Sequence, residues 1–252
     1  MIMLGIMALP TVVSLAEALT VPDSERVLES IGLSREYVRR GLFYSAMEEC
    51  HFALESTPGY LPIHRQLGEV SLQMGKTEDA VEKFVVIADT YRARGAARQA
   101  AAMYERALKL APMDTGVRSK LIQLLIRHGE IDEALRHYLA LADSYYHIAQ
   151  MAQAREVYQE ALRLAPRSSD EHEWTVRILH KIGDIDMQQV NWRRAASVYE
   201  RIRDLAPGDE RARLSLMELD YRLGHPQEAI QELDQLLQTY RDEGRLERMF
   251  AV

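Results

Sequence analysis

Gly75-Lys76-Thr77 has the composition of the closing residues of a phosphate-binding loop, where backbone amides cradle phosphates and a lysine reaches the outermost one. Such a loop also needs a glycine five residues before its last glycine, and Val70 stands there. It must follow a strand, whereas the residues before Gly75 are spaced as a helix, so Gly75 is expected to close that helix. Eight histidines are available as metal ligands, yet none lies in a His-Glu-x-x-His pattern, and a lone cysteine excludes Cys-x-x-Cys. His172 and His180 stand two turns apart on one predicted helix, a placement typical of a surface or rim. Cys50 has no second cysteine with which to form an intrachain disulfide. Paired carboxylates such as Glu48-Glu49 and Glu78-Asp79 would do acid–base work only by converging in a cleft. On exposed faces or in first helical turns they are solvated or complement the helix dipole. These residues predict no enzyme, no cofactor and no metal.

The elements that carry them recur at a fixed interval. Ala53-Leu54-Glu55-Ser56-Thr57-Pro58, Ala107-Leu108-Lys109-Leu110-Ala111-Pro112 and Ala161-Leu162-Arg163-Leu164-Ala165-Pro166 are copies whose prolines are spaced 112 − 58 = 54 and 166 − 112 = 54. Tyr37, Tyr91 and Tyr145 keep the same register, as do Ala46, Ala100 and Ala154, and Ala88-Asp89 with Ala142-Asp143. Each period reads as three helices. In the second, Pro62 to Met74 is apolar at helical spacing and stops at Gly75. Thr77 is the expected N-cap of a long helix that turns Ala80, Val81, Phe84, Ile87, Ala88 and Tyr91 inward and ends at Gly95. A third helix, Ala97 to Leu110, is broken by Pro112. No stretch alternates with period two, so no strands are predicted, and links of two to four residues force neighbouring helices antiparallel. Tyr91, Tyr104, Tyr145, Tyr158 and Tyr199 follow the repeat and are expected in the core. Cys50 takes one such aromatic position and is expected to be a packed thiol.

One copy reads Phe84, Ile87-Ala88, Tyr91, Ala100, Tyr104, Ala107, Pro112; a second reads Tyr138, Leu141-Ala142, Tyr145, Ala154, Tyr158, Ala161, Pro166. A third reads Leu179, Ile182-Gly183, Ala195, Tyr199, Pro207, with Asp186 where tyrosine is usual. This pattern resembles the tetratricopeptide repeat, a 34-residue helix–turn–helix. Small residues in it let two helices approach while an aromatic fills the space beside them. The sequence departs from the regular family because Leu67-Gly68, Ala80 and Phe84 form a further, overlapping repeat, so Phe84 and Tyr138 each serve two signatures. The resemblance implies an all-α fold: a right-handed α-solenoid of about 12 antiparallel helices, a tetratricopeptide-like superhelix forming a single array over residues 1–252. Its units would run about 5–58, 59–112, 113–166, 167–207 and 208–252, the last incomplete.

The resemblance implies binding to a protein or peptide in the groove of the superhelix, without catalysis. Family members that grip C-terminal carboxylates use Lys with at least two Asn, and this chain has one Asn, Asn191, so that mode is excluded. On the first-helix faces the groove candidates are Arg65, Glu69, Gln123, Arg127, Arg177, His180 and Asp184. A net charge of −7, with Arg39-Arg40 and Arg193-Arg194 short and diluted by carboxylates, argues against nucleic acid. The apolar stretch Met1 to Leu19 lacks a basic leading region, and Pro10 and Glu17 make it a poor membrane span, so it reads as a helix of the array rather than a signal peptide or anchor. Met7 to Thr20 falls where a first helix belongs, and Arg245 to Val252 looks like a helix left unfinished, with Leu246, Met249 and Phe250 apolar. The expectation is a cytoplasmic scaffold that is a segment of a longer array or self-associates through uncapped terminal helices. The alternative is a regulatory or sensor segment of a larger bacterial-type signalling or transcription-control protein.

Overall fold

The computed structural model describes residues 25–242 and 244. Among them are twelve α-helices and no strand: α1 (Glu25–Arg39), α2 (Phe43–Ser56), α3 (Leu61–Gln73), α4 (Thr77–Ala93), α5 (Ala97–Leu110), α6 (Thr115–His128), α7 (Ile131–His147), α8 (Met151–Leu164), α9 (Glu171–Gln188), α10 (Trp192–Leu205), α11 (Glu210–Leu223) and α12 (Pro226–Asp242). A 3-10 turn, Ala165–Arg167, lies between α8 and α9. The expected helix over Met7 to Thr20 and the apolar end at Leu246, Met249 and Phe250, with the self-association assigned to them, lie outside the described residues. None of the described helices is long and apolar enough to cross a membrane.

The sequence period is also the helix period. The starts of α2, α3 and α4 at Phe43, Leu61 and Thr77 recur at Ala97, Thr115 and Ile131, where α5, α6 and α7 begin. The chain divides into two units, one ending at His128 and one starting at Gly129. Within each, consecutive helices pack against each other, α1 through α6 in the first and α7 through α12 in the second.

Gly75 closes α3, with a left-handed φ of 74°. Its amide and that of Lys76 return to the carbonyls of Leu72 and Ser71 at 3.0 and 2.8 Å, the paired bonds that satisfy a helix end. Thr77 corrects one expectation: it is the first residue of α4, and the cap position is Lys76, which makes no side-chain capping bond. The reason is the shortness of the link, since Lys76 has just closed α3 and its own carbonyl already accepts the amide of Ala80.

Small residues set the helix spacing. A Cβ added at Gly183 of α9 would lie 2.8 Å from Tyr199 Cζ on α10, and one at Gly68 of α3 would lie 3.1 Å from Phe84 Cε1 on α4. Tyr199 then packs with Leu179, Ala195, Ile202, Ala212, Leu216 and Leu219 in a cluster shared by α9, α10 and α11. Cys50 is buried with Val27, Ile31, Ala53, Ile63 and Leu67. Burial pushes its thiol pKa up, partly offset by the Ser34 hydroxyl at 3.2 Å, and neighbouring Glu49 adds to the rise. A thiol held protonated in this way is a poor nucleophile.

Asp186, at the position where the repeat usually has tyrosine, is 0% exposed. Arg155 of α8 reaches its two carboxylate oxygens through Nε at 2.8 Å and a terminal nitrogen at 3.0 Å. The aromatic of the family pattern is replaced here by a buried bidentate ion pair.

Candidate functional site

The tyrosines that fill the repeat core do a second thing at their tips. Tyr104, Tyr158 and Tyr199 each donate their hydroxyl to an aspartate 15 residues earlier on the preceding helix. The bonds to Asp89 and Asp143 are 2.5 Å, and that to Asp184 is 3.0 Å. Each aspartate also receives a cation from the following helix: Lys120 of α6 at 2.8 Å, Lys181 of α9 at 3.1 Å and Arg211 of α11 at 2.5 Å. Among the described residues a tyrosine–aspartate–cation triad therefore occurs once in the first unit and twice in the second.

Electrostatics follow from this geometry. Burial alone would raise the Asp89 carboxyl, but the hydrogen bonds from Lys120 and Tyr104, the Lys120 charge and the bond from Arg92 outweigh it and hold the pKa below the usual value. The phenols move the other way. Burial first, then the hydrogen bond and charge of Asp89, push Tyr104 up to about 12. Burial and the Asp184 carboxylate push Tyr199 up to about 12, and burial with Asp143 raises Tyr158 as well. All three hydroxyls stay protonated donors at neutral pH.

In the second unit the two triads line one cavity of about 390 Å³, together with Tyr146, Ile185, Met187, Gln188 and Ser215. Lys181 and Tyr158 both donate to Asp143 Oδ1, and Arg211 and Tyr199 both donate to Asp184 Oδ1. Among the described residues, none donates a hydrogen bond to the Oδ2 atom of either aspartate. Lys181 and Arg211 keep 42% and 58% of their side chains exposed. The cavity thus presents open acceptors and open donors in alternation, with two charges of each sign. Among the described residues no group of three or more His, Cys, Asp or Glu is arranged to hold a metal ion.

Of the residues singled out in the sequence, Asp184 lies in this cavity. His180, one turn earlier, is instead hydrogen-bonded to Asp209 at 2.7 Å, and Arg177 is exposed with its guanidinium 5.4 Å from the Trp174 ring. In the first unit Glu69 is ion-paired with Arg106, whose guanidinium also lies 4.2 Å over the Phe84 ring. Arg65 on α3 is half-buried, and Gln123 and Arg127 on α6 are exposed. Sequence reasoning missed Lys181, Arg211, Asp143 and the second role of the tyrosines. One signal was available: an aspartate after the small residue (Ala88-Asp89, Ala142-Asp143, Gly183-Asp184) followed each time by tyrosine at the same distance.

No curated protein matches this chain. Solved structures with a similar arrangement include MamA, with 16% identity over 84% of this chain and 96% of that one and a TM-score of 0.39. BtubC (BKLC) from P. vanneervenii has 16% identity over 88% and 93%, with a TM-score of 0.42. A Podosopora anserina putative kinesin light chain with nearly identical TPR-like repeats has 17% identity over 87% and 97%, with a TM-score of 0.39. Likeness at this level adds nothing to what the sequence models of repeats show. Three such models, each a tetratricopeptide repeat, match residues 43–144, 118–208 and 187–249. With overlapping matches running from residue 43 to residue 249 on a chain whose described residues form helices and no strand, this protein belongs to the tetratricopeptide repeat family.

Proposed function

We propose that this protein is an interaction scaffold that holds a peptide segment of a partner protein in the cavity formed by Asp143, Tyr158, Lys181, Asp184, Tyr199 and Arg211. The observation that carries this reading is the pair of half-satisfied aspartates beside two partly exposed cations. An extended peptide supplies amides for the open Oδ2 atoms and carbonyls for the unused donors of Lys181 and Arg211, and its side chains lie over Tyr146 and Met187. Catalysis is not part of the reading: each charged group is held by a partner of opposite sign, and none is arranged as a nucleophile beside a base. Nucleic acid suits the cavity poorly, because each cation is already matched by a carboxylate. A buried free thiol at Cys50 suits a reducing compartment such as the cytoplasm.

The test uses peptides selected from a random displayed library against the full chain. Lys181→Ala with Arg211→Ala should weaken the selected peptides by about tenfold or more while helicity is kept. Charge reversal of Arg127 and Arg177, which lie outside the cavity, should leave them bound. Peptides that bind the double variant as tightly as the parent would place the site elsewhere.

A further inference from the structure

Equivalent corners of the repeat in the two units differ in what fills them. In the second unit the corner between the start of α7, the end of α8 and the start of α9 is closed by the chain itself. The 3-10 turn Ala165–Arg167 packs against α7 and α9. The Ser169 amide and the Trp174 indole N–H both donate to Asp132, at 3.2 and 2.8 Å. Leu139, Leu164 and Ala165 are correspondingly 5%, 8% and 0% exposed.

The matching corner of the first unit, between α4, α5 and α6, has no such plug. Its link, residues 111–114, is shorter than the link 165–170 of the second unit. Asp114 caps α6 through Val117 as Asp170 caps α9 through Glu173, and the next residue is Arg118 where the second unit has Trp174. The Arg118 guanidinium donates to the Pro112 carbonyl at 2.5 Å. The counterparts Val85, Leu110 and Ala111 stay half-buried, and Val86 is 37% exposed. What remains is an open cavity of about 710 Å³ walled by Val81, Val85, Val86, Leu110 and Val117. Glu78, Glu82 and Asp114 stand on its rim, and no cationic side chain is among the described residues that line it.

We propose that this groove is a second docking site, one that takes a tryptophan flanked by basic residues on a partner protein. The second unit shows what the corner accepts, an indole set against a carboxylate. Glu78 holds the place of Asp132, the second residue of its helix, so an indole entering beside Val81 meets the same acceptor. Glu82, which shares its charge with Lys83 at 3.2 Å, and Asp114 leave the rim net negative, matching Lys or Arg beside the tryptophan. An indole is large enough to cover the exposed valines, and it is among the side chains that anchor interfaces most strongly.

The probe is a short capped peptide with a Lys-Trp-Lys core, titrated into the full chain while valine methyl resonances are followed. Shifts should concentrate on Val81, Val85, Val86 and Val117, and a Trp→Ala peptide should produce none. Val86→Lys, at an exposed position that tolerates the change, should weaken binding by about tenfold, and Glu78→Gln should weaken it less. Lys181→Ala with Arg211→Ala, which disables the other cavity, should leave it unchanged. The proposal is overturned by shifts centred elsewhere, by equal binding to Val86→Lys, or by no shifts at about 1 mM peptide. It is also overturned if the chain self-associates and Val86→Lys makes it monomeric, because a second copy would then be the occupant.

Discussion

Arg155→Met should cost this protein far more than a surface charge would, because it strands the carboxylate of Asp186. Both oxygens of that carboxylate are held by one guanidinium, and none of Asp186 is exposed, while 22% of the Arg155 side chain is. Methionine keeps much of the stem's volume, so the loss is chiefly that of the charge. Removing one partner of a buried pair costs about 3–5 kcal/mol. Part of the Arg155 side chain already reaches water, so the lower end, about 3 kcal/mol, is expected here. Domain stabilities lie near 5–15 kcal/mol, so this is a large share of the total. Repeat arrays open piecewise, so the loss should be read from urea unfolding and from hydrogen exchange of amides in α8, α9 and α10. A second variant separates charge from packing: adding Asp186→Asn to Arg155→Met should recover about 1 kcal/mol or more, since a dry amide is less costly than a dry carboxylate. A cost below about 1 kcal/mol for Arg155→Met would refute the buried-charge reasoning. A double variant no more stable than Arg155→Met would assign the loss to the arginine stem.

Two further outcomes follow from the same helices. Gly183→Ala places a Cβ 2.8 Å from the Tyr199 ring, so the ring must move and its bond to Asp184 lengthen. We expect a loss of about 1–3 kcal/mol in thermal unfolding, and an unchanged melting temperature would show that α9 and α10 separate freely. The raised phenols predict an alkaline transition. Tyr104 and Tyr199, pushed up to about 12, hold their protons more tightly folded than unfolded, where tyrosine titrates near about 10. The stability tied to these protons is therefore complete below about pH 10 and is lost as pH rises toward about 12. Tyrosinate absorbance compared with that of Tyr104→Phe and Tyr199→Phe checks this. If the variants lose amplitude from the step near pH 10 while the parent's helicity is intact, the buried hydrogen bonds are absent.

How much of this could be read beforehand differs between core and site. Helix positions were legible because apolar stripes and stops such as Gly75 or Pro112 mark them, and as far as Pro166 the marks recur at one interval. The observed α5 runs over the expected residues, Ala97 to Leu110. Thr77 misled because capping preference describes a residue entering a helix from extended chain, while here one helix closes straight into the next. The cations of the triads were not legible for a different reason. Lys120, Lys181 and Arg211 follow their aspartates by 31, 38 and 27 residues, so no fixed offset aligns them. Each stands on the next helix but one, but on a different turn of it: Lys120 near the middle of α6, Lys181 in the second half of α9 and Arg211 in the first turn of α11, so only their long side chains bring them to the same partner. Glu69 and His180 were picked as polar residues on the right helices, but they are engaged by Arg106 and Asp209.

The triads also explain why core and site cannot be varied separately in this fold. The small residue that admits the aromatic ring is followed at once by the aspartate that receives its hydroxyl, so one pair of helix positions sets both the packing distance and the polar tip. Replacing Tyr158 or Tyr199 would empty the core as well as alter the cavity, and a binding loss in such a variant would not distinguish the two. Lys181 and Arg211 are free of that constraint, because both are partly exposed and stand on helices whose buried faces lie elsewhere. In the docking proposed for this cavity, substitution at these cations would change the partner selected while the tyrosine–aspartate pairs stay fixed. The same division holds in the first unit, where Val86 and Glu78 are exposed on α4 while Phe84 and Ile87 are buried in the core.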